Sequence, residues 1–178
     1  SKSEYIRHNR SKQLTRKAAE MNPIHLTVAA VIEKRGRFLM VEEQVDGLTV
    51  INQPAGHVES GESFRAAVIR EVREETAWRF SPTAIVGIYL WQHPDSGNRF
   101  LRVAFCGSCH DHNPRQALDT GIIRTLWLDR AELKRRQMSL RSPMVLRAID
   151  DYRRGMRYPV NMFQQIDIDD LASHARVI

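Results

Sequence analysis

The chain has 178 residues, of which 42% are hydrophobic and 27% charged, and its net charge is +6 at pH 7. That length fits one domain with one core, and the balance excludes an intrinsically disordered chain. No apolar run reaches the length of a membrane-spanning helix and no signal-peptide core is visible, so the cytoplasm is the default expectation and no membrane partner is expected.

Residues 1–20, SKSEYIRHNRSKQLTRKAAE, hold six basic and two acidic side chains, so +4 of the charge lies there and only +2 beyond. The remainder is too weakly basic for a phosphate-backbone surface, and nucleic acid is not an expected partner. The stretch has no strong apolar period and stops before Met21. It reads as a vector-derived or upstream extension with Met21 as the natural start; a basic targeting or RNA-binding arm is the alternative. Residues 21–178 then form a single domain, monomeric or paired as a homodimer.

IHLTVAAVIE (24–33) is β-branched and apolar, which predicts a strand. KRG at 34–36 is a turn, RFLMVEE a second strand, and Asp46-Gly47 another turn before LTVINQPAG. A helix is expected from Glu62 to about Trp78, capped by Ser60 or Gly61. TAIVGIYLWQ (83–92) and RFLRVAFCGS (99–108) flank HPDSGN as strand, turn and strand, and IIRTLWL (122–128) is a further strand. DRAELKRRQ gives a short helix capped by Asp129. SPMVLRAIDDYRR gives a longer one, with Ser142 as cap, Pro143 as first helical residue and Gly155 past its end. Antiparallel strands, one early helix and two late ones predict an α+β fold, a mixed sheet covered by helices on both sides.

The early helix crowds three acids, Glu71, Glu74 and Glu75, into one arc of its surface. Such neighbours repel by a few tenths of a kcal/mol. A solvated charged face is the ordinary explanation. Against it, Phe64, Ala66, Ala67, Val68, Ile69 and Val72 spread round the helix, as in an element buried on more than one side. A partly buried acid cluster needs a counter-charge, and PAGHVESG brings a glycine loop to the same place. A hard divalent cation with oxygen ligands answers both, with Mg²⁺ the first candidate and Mn²⁺ a substitute.

Gly56, then Glu62, then REVREETA (70–77) resembles the Nudix box, G-x5-E-x7-R-E-U-x-E-E-x-G-U, where U is bulky and aliphatic. Every fixed position matches up to Glu75; Ala77 stands where the pattern has glycine, and Trp78 takes the last apolar place. Beyond the box, VEEQVDG, NQPAGHVE, Trp91, RFLR and LRSPMVLRAIDDYRRGMRYPV (140–160) are similar to the NudJ type of Nudix phosphatase, over roughly residues 23–162. The resemblance implies an α/β/α sandwich and Mg²⁺-dependent hydrolysis of a small phosphorylated substrate. It further implies orthophosphate release from nucleoside tri- and diphosphates or hydroxymethylpyrimidine pyrophosphate, with small prenyl diphosphates a further class. A MutT-like pyrophosphohydrolase and a non-catalytic nucleotide-binding module are the other readings; retention of all four box glutamates speaks against the second.

Carried over through the box, Glu71 and Glu75 are expected metal ligands, Glu74 a ligand directly or through water, and the Gly56 carbonyl a further oxygen. Glu62 and Arg70 are expected to pair and orient the others. One of these glutamates, or Asp119 downstream, is the candidate to activate water. Trp91 is a candidate to stack on a base, with core packing as the ordinary alternative. Arg102 and Arg141 are candidates to grip phosphate, and His57 to touch it. Arg157 and Tyr158 read as tail packing. CGSCH (106–110) matches a haem-attachment string, and Cys106, Cys109, His110 and His112 could make a zinc site. The favoured reading is two reduced cysteines ending a strand.

Overall fold

The structure, a computed structural model, describes residues 23–164. The basic extension at 1–20 lies outside the described residues. The elements are β1 (Ile24–Lys34), β2 (Arg37–Val45), β3 (Leu48–Asn52), β4 (Ala55–His57), α1 (Phe64–Thr76), β5 (Arg79–Gln92), β6 (Arg99–His110), β7 (Ile122–Asp129), α2 (Arg130–Arg135) and α3 (Met144–Arg153). Single 3-10 turns follow α2 at Gln137–Ser139 and α3 at Val160–Met162.

Seven strands form one mixed sheet with the main order β3-β2-β1-β6-β5, β4 adding to β1 and β7 to β2. β1 and β6 run parallel, with Val28 opposite Val103 and Ala30 opposite Phe105; the other ladders are antiparallel. The period of two along β1 and β6 builds two cores. Val28, Ala30, Ile32, Val103 and Phe105 pack toward Ala67, Val68 and Val72 of α1. Val31, Ala104 and Cys106 pack toward Leu133 of α2 and Val145, Ala148 and Ile149 of α3. A strand buried on both faces needs apolar residues at consecutive positions, which is why β1 reads as an unbroken run. The chain is an α+β sandwich of helix, mixed sheet and helix, as its sequence pattern implies.

Local chemistry moves several boundaries. α1 begins at Phe64, not Glu62, because Ser63 is the cap and its hydroxyl accepts from the Ala66 N–H. Glu62 is engaged elsewhere: it accepts from the backbone N–H of Glu59 and from Arg70. α1 buries one face only, through Ala67, Val68, Glu71, Val72, Glu75 and Thr76, while Ala66 is exposed. It stops at Ala77, which takes the left-handed conformation at φ 58° and donates its N–H to the Arg73 carbonyl. That conformation costs an alanine on the order of 1 kcal/mol; burial of the Ala77 methyl offsets it. β5 starts at Arg79, four residues earlier than expected, because its first part pairs with the far end of β6.

Asp129 caps α2 in a reciprocal box with Glu132, but the helix ends at Arg135, short of Gln137. In α3 the cap position falls on Pro143, helical residues begin at Met144, and no side chain caps the end, so Ser142 is not the cap expected. The two helices are tied by Arg130, whose Nε and Nη2 donate to the two oxygens of Asp150 at 2.6 and 2.8 Å.

The Arg130 pairing holds the Asp150 carboxyl below its usual range. A depressed acid stabilises the fold above the unfolded value near 3.9, and that contribution disappears as pH falls through the lower folded value. Arg130→Ala should therefore lower Tm by about 2 °C at pH 7, the scale of a half-exposed pair. In paired calorimetric scans that difference should close below about pH 3.9.

Candidate functional site

α1 presents its acids to β4 through the core-facing stripe. Glu71 and Glu75 are 8% and 6% exposed. β4 lies antiparallel to β1, with Gly56 opposite Val28, and its Ala55 N–H donates to Glu75 Oε2 at 2.9 Å. Gly56 has an ordinary strand conformation, so its need for glycine is spatial. A Cβ there would sit 2.0–2.4 Å from the atoms of the Glu71 carboxyl group. The carboxyl thus lies flat against the strand backbone.

Arg70 organises the outer side. Its Nε and Nη2 donate to both oxygens of Glu62 at 2.9 Å, and Nη2 also reaches the His57 carbonyl at 3.0 Å. Nη1 donates to Glu71 Oε1 at 2.8 Å and Glu74 Oε2 at 3.0 Å. One guanidinium therefore fixes three carboxylates and the end of β4. Glu74 differs from its neighbours: its side chain is 45% exposed and lines an outer groove with Arg73, Asn113 and Gln116. The loop carrying Asp119 folds over the end of α1. Its Asn113 and Asp119 N–H groups and the Gln116 side chain satisfy the carbonyls of Ala77, Glu74 and Arg73.

Burial pushes Glu75 up to about 9, against the opposing Ala55 hydrogen bond and with added repulsion from Glu71, Glu43 and Asp119. Burial likewise raises Glu71 despite its bond to Arg70, and Glu74 and Asp119 add to it. The Arg70 bonds hold Glu62 below its usual range. This electrostatic stress is where a cation fits. Among the described residues no three acids, histidines or cysteines already converge on one metal position. Two desolvated carboxylates and the Gly56 backbone suit Mg²⁺, which keeps waters and takes substrate phosphates alongside one or two protein carboxylates.

Ala55 and Gly56 also line a cleft of about 180 Å³, which brings together His57, Trp91, Arg102 and Arg141, all four candidate substrate contacts. Arg102 is buried rather than a surface arginine: its Nη1 donates to Asn52 Oδ1 at 3.3 Å, and burial pulls it down to about 10. Arg141 Nε lies 4.0 Å from Glu43, which also accepts from Asn52 Nδ2 at 3.2 Å. Burial, with His25 and Arg102 nearby, pulls His57 down, which favours its neutral form. Trp91 is half-buried on the cleft wall, not in the core. It stacks on Phe100 with centroids 5.9 Å apart, and His25 stacks on the same ring at 5.0 Å.

Glu43, Asn52 and Phe100 also line the cleft and escape the sequence reading, and Ser142, expected only as a helix cap, joins them there. A polar Asn52 ending the apolar strand LTVIN is the one signal that could have flagged the network. The cysteines do not form a site: Cys106 joins the core under α3, whereas Cys109 packs on the opposite face with α1. His110 pairs with Asp111 and Ser81, and His112 packs on Trp78. Arg157 stacks on Tyr152 at 3.9 Å, and the Tyr158 backbone bridges Ile85. Both are packing contacts of the tail.

Residues 23–148 match the NUDIX domain family model. The chain is 38% identical over 138 residues to Phosphatase NudJ of Shigella boydii and of Escherichia coli K12, covering 78% of this chain and 89% of each relative. A NUDIX hydrolase structure from Nitrosomonas europaea superposes with a TM-score of 0.80 at 42% identity, over 82% of this chain and 99% of that one. The NUDIX domain of Shewanella oneidensis NrtR, complexed with ADP ribose, shares the fold at a TM-score of 0.60 and 20% identity, over 79% and 97%.

Gly56→Ala should keep the strand, whose backbone tolerates alanine, but displace the Glu71 carboxyl. Hydrolase activity should fall at least about tenfold, the scale for disturbing a metal site, while the circular dichroism spectrum stays native.

Proposed function

The chain belongs to the Nudix family, as a NudJ-type hydrolase, and on that premise we propose that it is a Mg²⁺-dependent phosphohydrolase releasing orthophosphate. Its substrates are nucleoside tri- and diphosphates or small organic pyrophosphates, hydroxymethylpyrimidine pyrophosphate and prenyl diphosphates among them. The observation that carries this reading is the pair of buried carboxylates, Glu71 and Glu75, behind a glycine strand that lines an arginine-walled cleft. Water attacks the terminal phosphorus, its P–O bond to the bridging oxygen breaks, and that oxygen leaves on the shortened substrate. The attacking water surrenders a proton to a base.

When bound, a divalent cation (Mg²⁺, or Mn²⁺ in its place) neutralises phosphate charge and acidifies water. Glu71, Glu75 and the Gly56 carbonyl would hold it, with Glu74 a further ligand directly or through water. Arg70, clamped on Glu62, keeps Glu71 in place. Arg102 and Arg141 offer donors to the substrate from the cleft, and His57, in its neutral form, adds a hydrogen bond without a charge. Trp91 and Phe100 give a flat apolar wall for a ring. A glutamate of the cluster, or Asp119 on its loop, takes the proton.

Glu71→Gln and Glu75→Gln should each reduce turnover at least about tenfold. Chelation should abolish phosphate release and added Mg²⁺ restore it; wild-type turnover in either variant would defeat the assignment. Product analysis on a nucleoside triphosphate separates the two chemistries. Stepwise orthophosphate supports this reading, whereas pyrophosphate supports the MutT-like one.

A further inference from the structure

Among the described residues, three buried side-chain polar atoms have no hydrogen-bond partner: Gln53 Oε1, Arg102 Nε and Ser142 Oγ. Two of those side chains, Arg102 and Ser142, line the same cleft, and they are 6% and 5% exposed. Both residues are anchored beside the cleft. Arg102 sits in mid-β6, opposite Thr27 of β1 and Tyr89 of β5, and its Nη1 is held by Asn52. Ser142 is pinned on both sides: the Arg141 N–H donates to the Ile51 carbonyl at 2.9 Å, and the Ser142 carbonyl accepts from Val145 at 3.2 Å. The Ser142 hydroxyl has no capping bond to α3, which begins beyond Pro143. A buried hydroxyl without a partner destabilises the ligand-free fold, so its presence points to a group that arrives from the cleft.

Both unpaired atoms can donate, Arg102 Nε only so, and hydrogen-bond acceptors entering the cleft would satisfy them. The acids behind Gly56 mark the phosphate end of the cleft, and the Trp91–Phe100 stack supplies an aromatic face beside it. We propose that Ser142 and Arg102 are specificity-determining residues that read a ring nitrogen or carbonyl on the substrate's organic group. They would thereby favour a diphosphate carrying a polar heterocycle over one carrying an alkyl or prenyl chain. A hydrocarbon chain would leave both donors buried and unpaired, the arrangement by which a polar site rejects an analogue lacking its partner. This rests on the phosphohydrolase reading and narrows its substrate class.

The test compares cytidine 5′-diphosphate with dimethylallyl diphosphate, with Mg²⁺, on the wild-type chain, Ser142→Ala and Ser142→Thr. Wild-type kcat/KM should favour the cytidine compound by at least about tenfold, and Ser142→Ala should lose about tenfold more on it than on the prenyl compound, mainly through KM. Ser142→Thr, which keeps a hydroxyl, should recover part of the loss. Without ligand, the Tm of Ser142→Ala should equal or exceed that of wild type. Equal loss on both diphosphates would mean a phosphate contact, and no loss would mean a hydroxyl satisfied by water. A lowered ligand-free Tm would mean a structural serine. Each of these overturns the proposal. If neither compound is hydrolysed, the activity reading fails separately, and calorimetric binding decides the inference. A cytidine preference weakened in Ser142→Ala supports it; equal affinities, or no binding of either, overturn it.

Discussion

Glu71 and Glu75 lie on the stripe of α1 that faces the sheet, where a soluble helix ordinarily places aliphatic side chains. Keeping two carboxylates there removes them from water and sets them against each other, which is why both are pushed toward protonation. The surrounding structure accommodates that constraint. β4 is three residues long, carries no side chain at Gly56 to obstruct the Glu71 carboxyl, and donates an N–H to Glu75. Arg70 is tied to Glu62 and His57, so it is positioned before it contacts Glu71. The loop through Asp119 lies on the last carbonyls of α1 and adds a further negative charge to the cluster. A helix stabilised only by packing would need none of these arrangements.

Across β4 the charge changes sign. Arg102 and Arg141 stand in the cleft with Glu43 and Asn52 between them. Such a division, acids behind the strand and donors in front, suits a ligand that is itself divided into a metal-held polyphosphate and an organic end. The sheet topology is what makes it possible. The parallel pairing of β1 and β6 places Arg102 opposite Thr27, one residue from the Val28–Gly56 pair. Residues far apart in the chain therefore meet at one strand edge.

Much of this was legible in the sequence because local rules decided it. Strands of β-branched and apolar composition, turns at Arg35-Gly36 and Asp46-Gly47 with positive φ, and the Asp129 capping box all follow from near neighbours. The box glutamates were legible because helical spacing alone places them together. The rest depended on tertiary partners. Whether Arg102 is a surface or a buried arginine is settled by Asn52, fifty residues away in the chain. Ser142 has the composition of a helix cap, yet Pro143 takes that position and leaves the hydroxyl in the cleft. Cys106 and Cys109 form a motif as text, but a separation of three along a strand sends them to opposite faces.

The central claim is that the buried acid pair exists to receive a divalent cation. It is tested most directly by titrating chelator-stripped protein with Mg²⁺ in a calorimeter at pH 7, in two buffers of different ionisation heat. Burial raises Glu75 to about 9 and Glu71 above its usual range, which favours a proton on the metal-free pair at pH 7. Cation binding must expel it. The account predicts binding accompanied by release of close to one proton per site, abolished in Glu75→Gln. Binding with no proton release, or the same release in that variant, would contradict it.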